Sequence, residues 1–206
     1  MNDKIISFYE KLGGSLKLKL PKTWKNHHIL NNSMILCIAP TGGGKTNCLM
    51  NYLARSSGEF TKIIICSFST TDETLYRTIK EKNDDVELID NIDEVPDLDE
   101  FDNKYKGKPK LIVFDDFINL KPKEMTKINK YLTSSRKYGF TCWIMAQNYT
   151  SVGKIISRNI QYYILFKLND NVSIDRIIRN HNISDVDTST IKKAYYFATS
   201  NPLIFF

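Results

Sequence analysis

With 206 residues the chain has room for one domain with a sizeable core, and none for a second catalytic domain. Its 42% hydrophobic and 25% charged residues are those of a soluble globular protein, and no apolar run approaches the ~18 residues that a membrane span requires. A formal net charge of +6 favours a polyanionic partner, because a basic surface gains affinity by releasing counterions from phosphates. The four cysteines, Cys37, Cys48, Cys66 and Cys142, include no Cys-x-x-Cys pair and give no sign of a zinc site or a disulfide framework.

In chain order, residues 1–32 form an N-terminal extension, and Met1 to Glu10 lacks the apolar core of a signal peptide, which predicts an intracellular protein. Leu16, Leu18 and Leu20 alternate with Lys17 and Lys19, the pattern of an edge strand, and Pro21 ends it. His27 and His28 read as surface loop. Residues 33–206 read as one domain.

Met34–Ile38 is a short apolar strand followed by Ala39, Pro40, Thr41, Gly42, Gly43, Gly44, Lys45 and Thr46, and then by a helix-competent stretch. The glycines allow backbone N–H groups to curl around phosphate oxygens at the positive end of a helix dipole. Lys45 reaches the β- and γ-phosphates of a bound ATP, and the Thr46 hydroxyl holds Mg²⁺. Ala39 stands where the G-x-x-x-x-G-K-[ST] pattern has its first glycine, a departure of one methyl group.

The helix after this loop carries Met50 and Leu53 on one side and stops at residues 56–58. Residues 62–68 are a near-continuous apolar strand of the kind buried on both faces of a parallel sheet. Residues 69–72 cap the next helix, which points Leu75 and Ile79 inward. Val86–Ile89 is a further short strand, and the acidic stretch to Asp102 reads as loop with one short helix. Residues 110–117 are four apolar positions, then Asp115 and Asp116. A carboxylate at the carboxyl end of such a strand is what a Walker B element needs to meet Mg²⁺, and Asp116 follows as the group that polarises water.

Met125, Ile128 and Leu132 repeat at helical spacing, and Gly139 separates that helix from the buried strand Phe140–Ala146, which delivers Gln147 at its end to orient water or touch the γ-phosphate. Residues 153–158 read as a turn, 161–167 as a strand, 172–179 and 187–193 as helices, and 195–206 as two short strands turned at 200–202. Internal repeats and low-complexity linkers are absent.

With Ala39 to Thr46, the Asp72-Glu73-Thr74-Leu75-Tyr76 run, the Asp115-Asp116 pair and Gln147 in this order, the chain from about Lys25 onward resembles the viral genome-packaging ATPases of the FtsK/HerA superfamily found in poxviruses, giant viruses and virophages. The resemblance implies a RecA-like ASCE P-loop NTPase, an α/β fold whose mostly parallel central sheet is flanked by helices and has the Gln147 strand between the P-loop and Walker B strands. It implies Mg²⁺-ATP as cofactor and double-stranded DNA as substrate. A homo-oligomeric ring and a capsid or portal-like vertex as partner follow from it, as does a place in the host cytoplasm (viral factory) and the virion. It also implies an arginine from the neighbouring subunit: Arg136 matches the family's position, with Arg158 second. Lys121, Lys123 and Lys154 are the candidate DNA contacts. Asp116 replaces the glutamate of most ASCE ATPases, and no nuclease domain like that of tailed-phage terminases follows the core. A small-molecule P-loop kinase, a non-packaging DNA-binding NTPase and an assembly protein with a relic nucleotide site are the alternatives.

Overall fold

The computed structural model describes residues 20–201 except 69, 71–72, 102–104, 106, 118–119 and 182–185, together with the backbone but not the side chains of 122–123. Six strands form one sheet: β1 (Met34–Ile38), β2 (Ile63–Ser67), β3 (Val86–Ile89), β4 (Lys110–Asp115), β5 (Phe140–Ala146) and β6 (Tyr162–Leu165). Every pairing is parallel and the order is β3-β2-β4-β5-β1-β6. Among the described residues no helix is long and apolar enough to cross a membrane.

Residues of β1, β2, β4 and β5 are almost all buried, because helices cover both faces and successive side chains point to opposite sides. Ile35, Cys37, Val113 and Trp143 pack with Leu49 and Tyr52 of α2 (Lys45–Arg55) and Tyr76 of α3 (Thr74–Lys82). On the other face, Leu36, Ile38, Phe114 and Ile144 pack with Ile128 and Leu132 of α4 (Pro122–Ser134), Ile156 of α5 (Lys154–Asn159), Ile174 and Ile177 of α6 (Asn171–Asn180), and Tyr195 of α7 (Thr188–Ala198). A single turn, α1 (Trp24–His27), precedes β1. All four cysteines are buried and free.

Several sequence expectations change in the folded chain. Residues 195–198 are helical, not strand: Ile191 and Tyr195 lie one turn apart and buried, and the Tyr195 hydroxyl donates to the Phe166 carbonyl at 3.0 Å while accepting from the Leu168 N–H at 2.8 Å. Residues 202–206 lie outside the described residues. The expected turn at 153–158 is the helix α5, held by burial of Ile156. In α2 the core face is Cys48, Leu49 and Tyr52, with Met50 and Leu53 flanking it. In α3 the Glu73 carboxylate, not residues 69–72, caps the helix by accepting from the Leu75 N–H at 3.3 Å. The helix packs with Tyr76 inward and leaves Leu75 39% exposed. The acidic stretch makes two short 3₁₀ turns, Ile92–Glu94 and Leu98–Phe101, which bury their apolar residues. Leu20 is exposed and outside any strand, and 16–19 are outside the described residues. His27 closes α1 and is half-buried, with its ring edge-on to Tyr52.

Candidate functional site: a P-loop cleft at the carboxyl edge of the sheet

At the end of β1 the chain makes its loop over residues 39–44 and enters α2. Gly42 and Gly44 have φ of +73° and +94°, in the left-handed region where a side chain is strained. Gly43 is constrained by space: a Cβ there would sit 2.9 Å from both the Ala39 Cβ and the Pro40 carbonyl oxygen. Ala39 is fully buried beneath the loop, so the methyl that departs from the sequence pattern is accommodated by the core, and it makes glycine at 43 obligatory. The Gly43 N–H donates to Pro40 O at 2.9 Å and closes the loop on itself. The first intrahelical bond of α2 runs from the Cys48 N–H to Gly44 O, which leaves the N–H groups of Lys45, Thr46 and Asn47 as the unpaired donors of a helix start. Lys45 Nζ donates to the Ala39 carbonyl at 2.9 Å, a bond that keeps the ammonium over the loop.

The sheet order brings the other groups to this loop. β5 lies between β1 and β4, with Asp115 in register with Met145 and Ile38 with Ala146. Asp115, Asp116 and Gln147 therefore leave the sheet at the edge where the loop begins. These three, with residues 41–46, Glu73 and Tyr76, line one cleft of ≈ 400 Å³.

Asp115 is half-buried, and the hydroxyl of fully buried Tyr76 donates to its Oδ2 at 2.7 Å. The Tyr76 hydroxyl also meets the Thr46 side chain. Burial pushes the Asp115 carboxyl above the usual carboxylate range; the Tyr76 hydrogen bond opposes this, neighbouring Asp116 adds to it, Lys45 opposes it, and Glu73 adds to it. Burial, reinforced by the charge of Asp115, holds Tyr76 far above the ordinary phenol range, so it remains a donor at every physiological pH. Asp116 is exposed with φ +57°, a conformation that aspartate tolerates better than most residues. Gln147 Nε2 donates to Asp116 Oδ2 at 3.2 Å.

The donor set suits magnesium. One half-buried carboxylate and one hydroxyl, Asp115 and Thr46, leave the remaining positions to water and phosphate oxygens, which is how proteins usually hold this ion. Among the described residues no group of three or more His, Cys, Asp or Glu side chains forms a cage for a metal.

The sequence-derived residues Thr41 to Thr46, Asp115, Asp116 and Gln147 meet in this cleft, and Ala39 and Pro40 shape the loop from below. Arg136 does not join them. It is exposed in the Ser135–Tyr138 turn before β5, while Gln147 follows β5, so a seven-residue strand, about 23 Å, separates it from its own cleft. Arg158, in the last turn of α5 before β6, is likewise at the far end. Exposed Lys121 and Lys154 begin α4 and α5 on the cleft side of the sheet; the Lys123 side chain is outside the described residues. Tyr76 and Glu73 belong to the Asp72–Tyr76 run, in which neither residue type signals a role at the site by its own chemistry. Phe68, 56% exposed at the rim and stacked on Phe117 at 4.2 Å, carried no signal.

A loop of this kind between strand and helix, an aspartate pair two strands away and a glutamine-bearing strand inserted between them define the fold of the ASCE P-loop NTPases, with an all-parallel sheet. No family model and no curated protein sequence matches the chain. Solved structures do. The DNA-packaging ATPase B204 of Sulfolobus turreted icosahedral virus aligns with a TM-score of 0.56 at 13% identity, over 79% of this chain and 86% of that one. The genome packaging NTPase B204 of Sulfolobus turreted icosahedral virus 2, in complex with ATP-γS, aligns with a TM-score of 0.51 at 14% identity, over 80% and 87%. The pCW3 conjugation coupling protein TcpA, with ATPγS, gives 0.50 at 16% identity, over 72% of this chain and 53% of its own, so the chain spans about half of that protein. At these identities the likeness is one of fold.

Proposed function

We propose that the chain is an ATP-hydrolysing, double-stranded DNA translocase that packages a viral genome into a preformed capsid. The observation that carries the enzymatic part is the convergence of Lys45, Thr46, Asp115, Asp116 and Gln147 on one cleft. In this reading the free N–H groups at the start of α2 and Lys45 bind the triphosphate. Thr46 and Asp115 are the residues that would hold Mg²⁺, which when bound would supply charge neutralisation for the triphosphate. Asp116 orients the attacking water and takes its proton as the bond from the γ-phosphorus to the leaving ADP oxygen breaks. Gln147, hydrogen-bonded to Asp116, connects the state of that carboxylate to the loop after β5.

DNA as the substrate is supported by the net charge of +6 and by the fold shared with a DNA-packaging ATPase. Lys121 and Lys154, with Lys123 beside them in sequence, are the proposed phosphate contacts. The distance of Arg136 from its own cleft supports a ring in which it serves the neighbouring subunit's γ-phosphate. A capsid or portal-like vertex is the proposed docking partner, and the host cytoplasm (viral factory) and virion the proposed location.

The test is steady-state ATP hydrolysis across a range of protein concentration, with and without double-stranded DNA, on wild type, Asp116→Asn and Arg136→Ala. DNA-stimulated, concentration-dependent turnover that both substitutions abolish is the expected result. DNA-independent turnover by a monomer, or phosphate transfer to a small acceptor, refutes the translocase reading.

A further inference from the structure

Asp116 sits where the chain turns as it leaves the sheet. It follows β4 directly with a φ of +57°, and its N–H donates to the Met145 carbonyl at 3.4 Å. A residue other than glycine keeps such a conformation only where its surroundings hold it. From the β5 side, Gln147 Nε2 donates to its carboxylate at 3.2 Å. From the β2 side the support is aromatic. Ser67 is in register with Asp115, so Phe68 leaves β2 beside the point at which Asp116 leaves β4. The Phe68 ring lies on that of Phe117, the next residue after Asp116, with centroids 4.2 Å apart and planes 6° apart. Phe117 is fully buried in the same core as Ile128 and Leu132 of α4, whereas Phe68 is exposed and lines the same cleft as Asp116 and Gln147.

We infer that Phe68 is a positioning residue for hydrolysis, which holds the Asp116 turn through its stack on Phe117 and so fixes where the Asp116 carboxylate points. The inference rests on the reading of Asp116 as the group that orients the attacking water. The buried Phe117 ring anchors the turn from the core, and Phe68 covers the outer face of that ring, so the backbone after β4 is clamped from both sides. A phenyl ring offers no ligand to magnesium and no donor to phosphate, so Phe68 acts through its neighbours and not on the nucleotide itself. Without it the outer face of Phe117 meets water, and the turn is free to relax out of the left-handed region. The lever is short, because one peptide bond joins Phe117 to Asp116. A displacement of about 1 Å in a reacting group costs on the order of 10²-fold in rate.

The experiment measures steady-state ATP hydrolysis, and Mg²⁺-ATP affinity by calorimetry, on the full chain as wild type, Phe68→Ala, Phe68→Tyr, Asp116→Asn and the double variant Phe68→Ala with Asp116→Asn. Each is run over a range of protein concentration. Phe68→Ala is expected to lower kcat about 10- to 100-fold while KM and ATP affinity stay within about twofold. Phe68→Tyr, which keeps the stacked ring, is expected to recover turnover to within about threefold of wild type. The double variant is expected to be no slower than Asp116→Asn alone, because Phe68 acts only through that carboxylate. An unchanged kcat in Phe68→Ala, a loss that falls on ATP affinity, or losses that multiply in the double variant overturn the inference and leave the site standing. So does recovery of Phe68→Ala at high protein concentration, which would make the ring a contact between subunits. A wild type without turnover, or Asp116→Asn with undiminished turnover, overturns the reading of Asp116 together with this inference.

Discussion

Tyr76→Phe tests whether the Walker B carboxylate depends on a tyrosine that no sequence motif required. The substitution keeps the fully buried ring and deletes only the hydroxyl that donates to Asp115 Oδ2 at 2.7 Å. A hydrogen bond to a charged partner is worth about 1.5–3 kcal/mol, and because Asp115 is only half-buried the lower end applies. For a domain of this size a loss of about 1.5 kcal/mol corresponds to about 3–6 °C in Tm. The functional effect is separate. Tyr76 fixes one oxygen of Asp115, so it sets the direction in which that proposed Mg²⁺ ligand points. Its removal is expected to raise the Mg²⁺ concentration for half-maximal nucleotide binding about 5- to 10-fold, with metal-free nucleotide binding unchanged. The assay is a Mg²⁺ titration of a fluorescent ATP analogue beside a thermal melt. A Tm drop with an unchanged or tighter Mg²⁺ dependence would refute the reasoning and reduce Tyr76 to a core residue.

Lys45→Ala is expected to abolish ATP binding while circular dichroism stays native, and Asp116→Asn to keep binding but lower turnover by about 10²–10⁴-fold, measured by phosphate release. Gly43→Ala forces a methyl to within 2.9 Å of Ala39 Cβ and Pro40 O, an overpacking of about 1–3 kcal/mol; adding Ala39→Gly should recover part of the lost ATP affinity, because it removes one of the two clashes. If Arg136 acts in trans, mixing inactive Arg136→Ala with inactive Lys45→Ala subunits should restore some turnover, whereas no recovery at any ratio argues against a shared site. His181, hydrogen-bonded to Tyr163, has its pKa lowered by burial. The unfolded chain therefore takes up the proton first, so the stability from the neutral ring is present above its usual 6.5 and fades as pH falls through the lower folded value. His27 is lowered chiefly by burial too and adds with the same sign. The urea midpoint should fall between about pH 7 and 5, and His181→Asn should flatten that fall.

Local chemistry made part of this protein legible. Buried parallel strands leave continuous apolar runs, so β1, β2, β4 and β5 could be read directly, and β3 from its short run before the acidic stretch. Residues 39–46 were legible because a phosphate loop imposes glycine and lysine at fixed spacing, and Asp115, Asp116 and Gln147 because each follows an apolar run at once. The failures have local causes as well. Residues 195–197 are aromatic and suit a strand by propensity, but the Asp187 cap and the one-turn spacing of Ile191 and Tyr195 make them helix. Leu75 and Tyr76 are adjacent apolar residues, and the helical period alone does not choose between them; packing against the sheet buries Tyr76 and leaves Leu75 exposed.

The sequence by itself determined the class of fold and the loop on which the proposed phosphate-binding chemistry rests, since both are written in residues near one another along the chain. Only the tertiary structure decided what depends on strand order and helix rotation. It put Tyr76 against Asp115 from 39 residues away, set Gln147 beside Asp116, carried Arg136 to the opposite end of the sheet, and stacked Phe68 on Phe117. These are contacts across a sheet whose order differs from the order of the chain, and periodicity within one element carries no information about which element lies next to it.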